Sequence, residues 1–265
     1  MTQVTRLGQP PATPRTAPDA LGVSVLSKLG HELRSPLSGI IGLTKVLLMR
    51  LEAGPVDPAT QARQLGMIQS SAARALATIE KVTDVAKIDS GRLSAVRQAV
   101  DGREVVADVA SKLGDAAAGR GLRLRTDVPD RPVMVTSDPE IIGRLLHELV
   151  ENALKFADAG AGAGEVRIRL HASVPQVVIE VCDDGPGIPP DEQARIFEPF
   201  ERGELAAERD DGSGLGLYLA RRLADLLGAR LTVTSQAGSG STFSLTFADH
   251  PGAVSVTGTG ADPRS

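Results

Sequence analysis

The sequence predicts an α-helical hairpin that pairs as a dimeric four-helix bundle, followed by a two-layer α/β sandwich. Three observations predict it. Two runs of about 30 residues place apolar side chains at spacings of three and four, the period of a helix face. The segment Ala53-Gly54-Pro55-Val56-Asp57-Pro58 breaks between them. Beyond Gly91 the texture changes to short alternating strands mixed with helical segments, the pattern of helices packed on one face of a mixed sheet.

The first run spans about Val23 to Glu52 and carries Leu26, Leu29, Leu33, Leu37, Ile40, Thr44, Leu47 and Leu51. The second carries Leu65, Ile68, Ala72, Ala75, Ile79, Val82 and Ala86 and ends near Gly91. Each arm is roughly 45 Å long at 1.5 Å per residue. One hairpin cannot bury its own stripe well, whereas two form a bundle, so a homodimer is expected. Helices are then expected around Gly102–Ala118, Asp138–Ala157 and Leu215–Leu227. Strands are expected at Arg123–Asp127, Val133–Thr136, Glu165–His171, Gln176–Cys182, Arg230–Ser235 and Thr242–Phe247. A loop-rich stretch separates Asp183 from Ser213. Residues 1–22, with four prolines among polar residues, read as a disordered arm, and 249–265 as a flexible tail. The domains expected are therefore 23–93 and 94–248.

Composition narrows the function. The chain has 265 residues, 42% hydrophobic, with a net charge of −4 and no basic block, which argues against nucleic acid as a partner. Aromatics make up 2%, too few for base stacking. The single cysteine, Cys182, excludes an internal disulfide and fits a reducing, cytoplasmic setting. No apolar run approaches a membrane span, and no signal-peptide core is seen at the N-terminus.

His31 lies roughly 140° around the first helix from Leu26, off the apolar stripe, and Ser35 shares its outward face. Alone, such a histidine is most often a surface residue without a role. Its neighbours change that. Pro36 removes a helical hydrogen bond at a cost of about 3 kcal/mol relative to alanine, which suggests a purpose such as local bending. Glu32 is an adjacent carboxylate able to take a proton from the imidazole or fix its tautomer. The segment Ser27-Lys28-Leu29-Gly30-His31-Glu32-Leu33-Arg34-Ser35-Pro36-Leu37 resembles the phosphoacceptor box of sensor histidine kinases. Asp84-Val85-Ala86-Lys87-Ile88-Asp89-Ser90-Gly91-Arg92-Leu93 resembles the close of that family's dimerisation hairpin. The resemblance implies that His31 is phosphorylated, that Glu32 assists as acid or base, and that Ser35 occupies a position linked to dephosphorylating the partner.

Four segments of the second half matter together. In His147-Glu148-Leu149-Val150-Glu151-Asn152-Ala153-Leu154-Lys155-Phe156, Glu148 and Asn152 share a helix face and Lys155 follows one turn on. The Asn152 carbonyl suits Mg2+, and Lys155 suits phosphate. In Asp183-Asp184-Gly185-Pro186-Gly187, a carboxylate at a strand end can accept from adenine's exocyclic amine, while the glycines let backbone pass close to the base. Phe197 and Phe200 are expected to hinge a mobile lid running to Asp211, in which Arg202 and Arg209 reach toward phosphates. Gly212-Ser213-Gly214-Leu215-Gly216 opens a helix, a natural anion site, but it lacks the lysine of a P-loop.

In order and spacing these segments resemble the boxes of the histidine-kinase ATP-binding domain, and with the hairpin the resemblance covers about residues 23–248 of the chain. That domain has the Bergerat-type fold shared with gyrase, mismatch-repair and heat-shock-chaperone ATPases. The resemblance implies that Asn152 binds Mg2+, that Asp183 reads adenine, and that Gly185, Gly187, Gly212, Gly214 and Gly216 shape pocket and lid. Glu148 departs from the family, where a second asparagine is common; across the wider superfamily a glutamate there activates water. The expected function is ATP-dependent autophosphorylation of His31 and transfer to an aspartate of a response regulator receiver domain, with ATP and Mg2+ as cofactors. Input would come from a separate sensor protein or residues 1–22. Two alternatives stand beside it: a non-kinase ATPase of the same superfamily, and a dimeric phosphorelay module without its own catalysis.

Overall fold

A computed structural model of the chain describes residues 23–54, 56–157, 164–173, 176–203 and 212–248. The stalk consists of α1 (Val23–Ala53) and α2 (Pro58–Asp89). Asp57 caps α2 by accepting from the Thr60 backbone N–H at 3.0 Å, and Pro58 at the first helical position forfeits no bond. Pro36 lies inside α1, which continues through it. The two helices pack through small residues: the Gly39 position faces Ser71, and Ser71, Ala75 and Thr78 are buried with Leu47.

The expected apolar stripes are split by the packing. Leu29, Leu33, Ile40 and Leu47 turn inward, but Leu26, Leu37 and Leu51 stay exposed, as do Leu65, Ala72, Ile79 and Ala86 on α2. Two burial sectors, merged by the linear spacing, lie side by side on each helix. The outer one includes Leu37, Ile41, Leu48 and Leu51, spaced four, seven and three apart.

The second half begins with β1 (Gln98–Asp101), which pairs antiparallel with β3 (Met134–Ser137). The spacing had placed a strand at 133–136 but none at 98–101, and this two-stranded ribbon stands apart from the main sheet. The main sheet has order β2-β4-β5-β7-β6, built from β2 (Arg123–Asp127), β4 (Glu165–Ser173), β5 (Gln176–Asp183), β6 (Arg230–Ser235) and β7 (Ser241–Phe247). Only the β2–β4 pair is parallel. Helices α3 (Gly102–Gly119), α4 (Pro139–Phe156) and α5 (Gly216–Leu227) complete the two layers. Their core joins Ile142, Leu145 and Leu149 of α4, Leu223 of α5, Ile179 of β5 and Phe243 of β7. Burial of each such side chain is worth about 1.5–3 kcal/mol. Burial in β7 alternates strictly, as a one-sided sheet requires.

The stalk docks on this domain through one face of α2. Lys81, Asp84, Val85, Ile88 and Asp89 recur at helical spacing. Val85 is 1% exposed and belongs to the same apolar core as α4 and α5. On either side of it Asp84 pairs with Arg144, and Asp89 with Arg222. No described helix is long and apolar enough to cross a membrane.

Candidate functional site

Helix α4 carries one wall of a cleft. Asp138, itself buried, accepts from the Glu140 and Ile141 backbone N–H groups at 3.0 and 3.1 Å and so starts the helix. Three turns on, Glu148, Asn152 and Lys155 line a cleft of about 90 Å3 together with Gly212, Gly214 and Gly216. Glu148 is buried, and its Oε2 lies 2.5 Å from the Lys81 ammonium of the stalk. Lys81 also stands 3.6 Å from Glu151. Donor atoms of His147, Glu148 and Glu151 lie within 4.8 Å of one another.

A second hollow of about 70 Å3 continues from the first, sharing Asn152, Phe156, Ile196 and Leu217. Asp183 stands in its wall at the end of β5, the central strand of the sheet. The Gly185 N–H donates to Asp183 Oδ1 at 3.0 Å. Burial pushes the Asp183 carboxyl up to about 6, against the opposing pull of the Gly185 and Ser241 backbone donors. Gly187 has φ +74°, and a Cβ there would stand 2.0 Å from the Gln236 carbonyl oxygen. Only glycine lets the backbone pass at that point. At Gly185 a Cβ would meet the Phe156 carbonyl at 2.5 Å.

The glycine segment before α5 bends back over the first hollow. Gly214, at φ +68°, accepts from the Phe200 N–H at 3.0 Å, and Phe200 itself takes φ +62°. The Phe197 ring packs edge-on against Phe243 with centroids 6.3 Å apart, and the Arg221 guanidinium covers it at 5.6 Å. Both phenylalanines precede the segment expected to be a lid, whose residues 204–211 lie outside the described residues. Arg209 lies outside the described residues.

His31 is exposed on α1, with Ser35 exposed one turn on. The residues flanking His31 hold the other domain. Arg202 donates to Glu32 Oε2 at 2.7 Å, and Lys28 pairs with Glu201 at 3.2 Å. Glu201 and Arg202 both line the first hollow. The structure therefore brings Glu148, Asn152, Lys155, Arg202 and the three glycines to one cleft, with Asp183 in the adjoining hollow, whereas His31 and Glu32 do not line it and Glu32 reaches it only through its ion pair with Arg202.

The His Kinase A (phospho-acceptor) family model matches residues 24–91. The model of histidine kinase-, DNA gyrase B- and HSP90-like ATPases matches residues 137–251. The chain belongs to the sensor histidine kinases. Histidine protein kinase DivJ of Caulobacter vibrioides is 33% identical over 220 residues, which is 83% of this chain and 36% of DivJ. The chain thus spans about a third of that relative's length. Full-length ShkA in complex with AMPPNP superposes with a TM-score of 0.57 at 27% identity, over 86% of this chain and 46% of ShkA. ThkA in complex with the response regulator protein TrrA shares the fold, with a TM-score of 0.67 at 20% identity, over 86% of this chain and 62% of that one.

In this histidine kinase one site residue escaped the sequence reading. Lys81 lies in the helical hairpin, far from every motif, yet it lines the cleft. The only signal was the spacing of Lys81, Asp84, Val85, Ile88 and Asp89, a second stripe on α2 that was not separated from the first.

Proposed function

We propose that this histidine kinase binds ATP in the α4–β5–α5 cleft, transfers the γ-phosphoryl group to His31, and passes it on to an aspartate of a response regulator. One observation carries the reading. The ion pairs Arg202–Glu32 and Lys28–Glu201 tie the helical turn that bears His31 to residues lining the phosphate end of the cleft. Bringing donor and acceptor together is most of what phosphoryl transfer needs.

The roles follow from position. Asp183 accepts from the adenine amine, and Gly185 and Gly187 shape the base pocket. Lys155, the Gly212–Gly216 backbone and Arg202 face the phosphates. Asn152 offers a hard oxygen on the cleft wall that would hold Mg2+, which supplies charge neutralisation at the phosphates when bound. A ring nitrogen of His31 gives its lone pair to the γ-phosphorus as the bond to the ADP oxygen breaks. ADP leaves, and Glu32 takes the ring proton once Arg202 turns to the phosphates. Ser35, exposed one turn from His31, is placed to orient water during dephosphorylation. The exposed stripe Leu37, Ile41, Leu48 and Leu51 supports a homodimer. The units are 23–93 for phosphoacceptor and dimerisation and 94–248 for nucleotide.

The water-activating ATPase reading loses support because Glu148 is committed to Lys81 at 2.5 Å. Incubation with γ-labelled ATP tests the proposal: wild type acquires acid-labile label and His31→Gln does not. Equal label in both sinks it.

A further inference from the structure

Lys81 belongs to the stalk by sequence and to the nucleotide cleft in space. Among the described residues it is the only lysine or arginine paired with Glu148 or Glu151, and the His147 ring stands within 4.8 Å of both. Glu148 sits one helical turn before Asn152, and Glu151 adjoins it. The cleft proposed to receive a polyphosphate thus has two carboxylates beside its metal ligand. Left bare, they would repel the phosphates, Glu148 strongly because solvent is largely excluded there and Glu151, 39% exposed, more weakly. The Lys81 and Glu148 side chains are 16% and 10% exposed.

The surroundings hold the ammonium in place. Asp84–Arg144, Val85 and Asp89–Arg222 fasten the following turns of α2 to α4 and α5. A Cβ at Gly216 would stand 2.8 Å from Glu148 Oε2 and 3.6 Å from Lys81 Nζ. The ion pair therefore abuts the first residue of α5, where unpaired backbone N–H groups favour an anion.

We propose that Lys81 is a phosphate-site residue lent by the stalk. It neutralises Glu148 and Glu151 so that the cleft accepts a polyphosphate, and it makes nucleotide affinity depend on the docking of α2. This rests on the nucleotide reading given above. Linkage requires the reciprocal: bound ATP tightens the docking by the same factor.

The test titrates ATP and adenosine separately onto the full chain as wild type, Lys81→Met, Lys81→Arg, Glu148→Gln and the double variant Lys81→Met/Glu148→Gln. Lys81→Met weakens ATP about tenfold and leaves adenosine within about twofold, because only the phosphates meet the exposed carboxylates. Lys81→Arg restores most of the ATP affinity. With Gln at 148 the loss caused by Lys81→Met shrinks to about threefold or less. Equal losses for ATP and adenosine would show that Lys81 acts through shape alone and overturn the proposal. So would unchanged or tighter ATP binding in Lys81→Met. Wild type that binds neither ligand removes the nucleotide reading, and this inference with it. The Glu148→Gln background keeps the comparison decisive should Lys81→Met fold poorly.

Discussion

Arg202 donates to Glu32 at 2.7 Å, which ties the end of the glutamate–arginine segment after Phe200 to the helical turn bearing His31. The same residue lines the cleft on α4, so one side chain touches both the stalk and the cleft. Arg202→Met is expected to lower the rate of His31 labelling by at least about tenfold at saturating ATP, through lost positioning. Single-turnover labelling measures this, and an unchanged rate refutes it.

Asp183 is predicted to trade stability for recognition. Its folded carboxyl titrates near 6, above the ordinary carboxylate range, because burial disfavours the ion. The sign follows. The folded state holds that proton more tightly than the unfolded chain. Ionised Asp183 therefore costs stability above about pH 6, and the cost is relieved as pH falls from 6 toward 4. Asp183→Asn is expected to raise unfolding free energy by about 2 kcal/mol at pH 7 while weakening adenosine binding more than tenfold. Denaturant titration and ligand titration read the two effects. A destabilised Asp183→Asn contradicts the account.

The same group sets a pH dependence for the base pocket. Protonated Asp183 presents a donor where adenine also presents one. Adenosine carries no titrating phosphate, so its affinity is a clean probe. It is expected to fall as pH drops through about 6. Affinity that stays flat from pH 7 to about 5 would remove Asp183 from the contact.

Gly187 cannot take a side chain. A methyl group 2.0 Å from the Gln236 carbonyl, at φ +74°, forces the base-pocket loop to move. Gly187→Ala should lose about 2 kcal/mol or more of stability and most nucleotide affinity. Wild-type affinity in that variant would mean that the loop does not shape the pocket.

Ile41 and Leu48 are 69% and 56% exposed on a single chain, one heptad apart on α1. Ile41→Glu with Leu48→Glu is expected to convert a dimer into a monomer in sedimentation, with Asp183-dependent nucleotide binding intact. A dimer that persists would move the interface elsewhere.

Most of the α/β domain was legible in the sequence because its strands alternate and its helices begin at capped prolines and aspartates, as at Asp138-Pro139. The residues proposed for the site stood out in the sequence because glycines at fixed backbone positions and a carboxylate at a strand end have few other uses. Two things were not. The stripe on each stalk helix merged the hairpin seam with the outer sector, since a broad apolar arc has one period whatever it faces. Lys81 was hidden because its partner Glu148 lies 67 positions away, and no local spacing reports a contact that only the docked fold creates. The pairing of β3 with β1 was hidden for the same reason.

Val85 blurs the boundary between the two halves. By chain order it closes the stalk, yet by packing it is a brick in the wall of the nucleotide-binding layer. A fragment cut after residue 93 would carry a hollow where that valine stood, and would be less robust than the intact chain. Any twist of the stalk must also pull at that plug, so a mechanical disturbance arriving along the helices reaches the opposite layer as a change in how well its interior is filled.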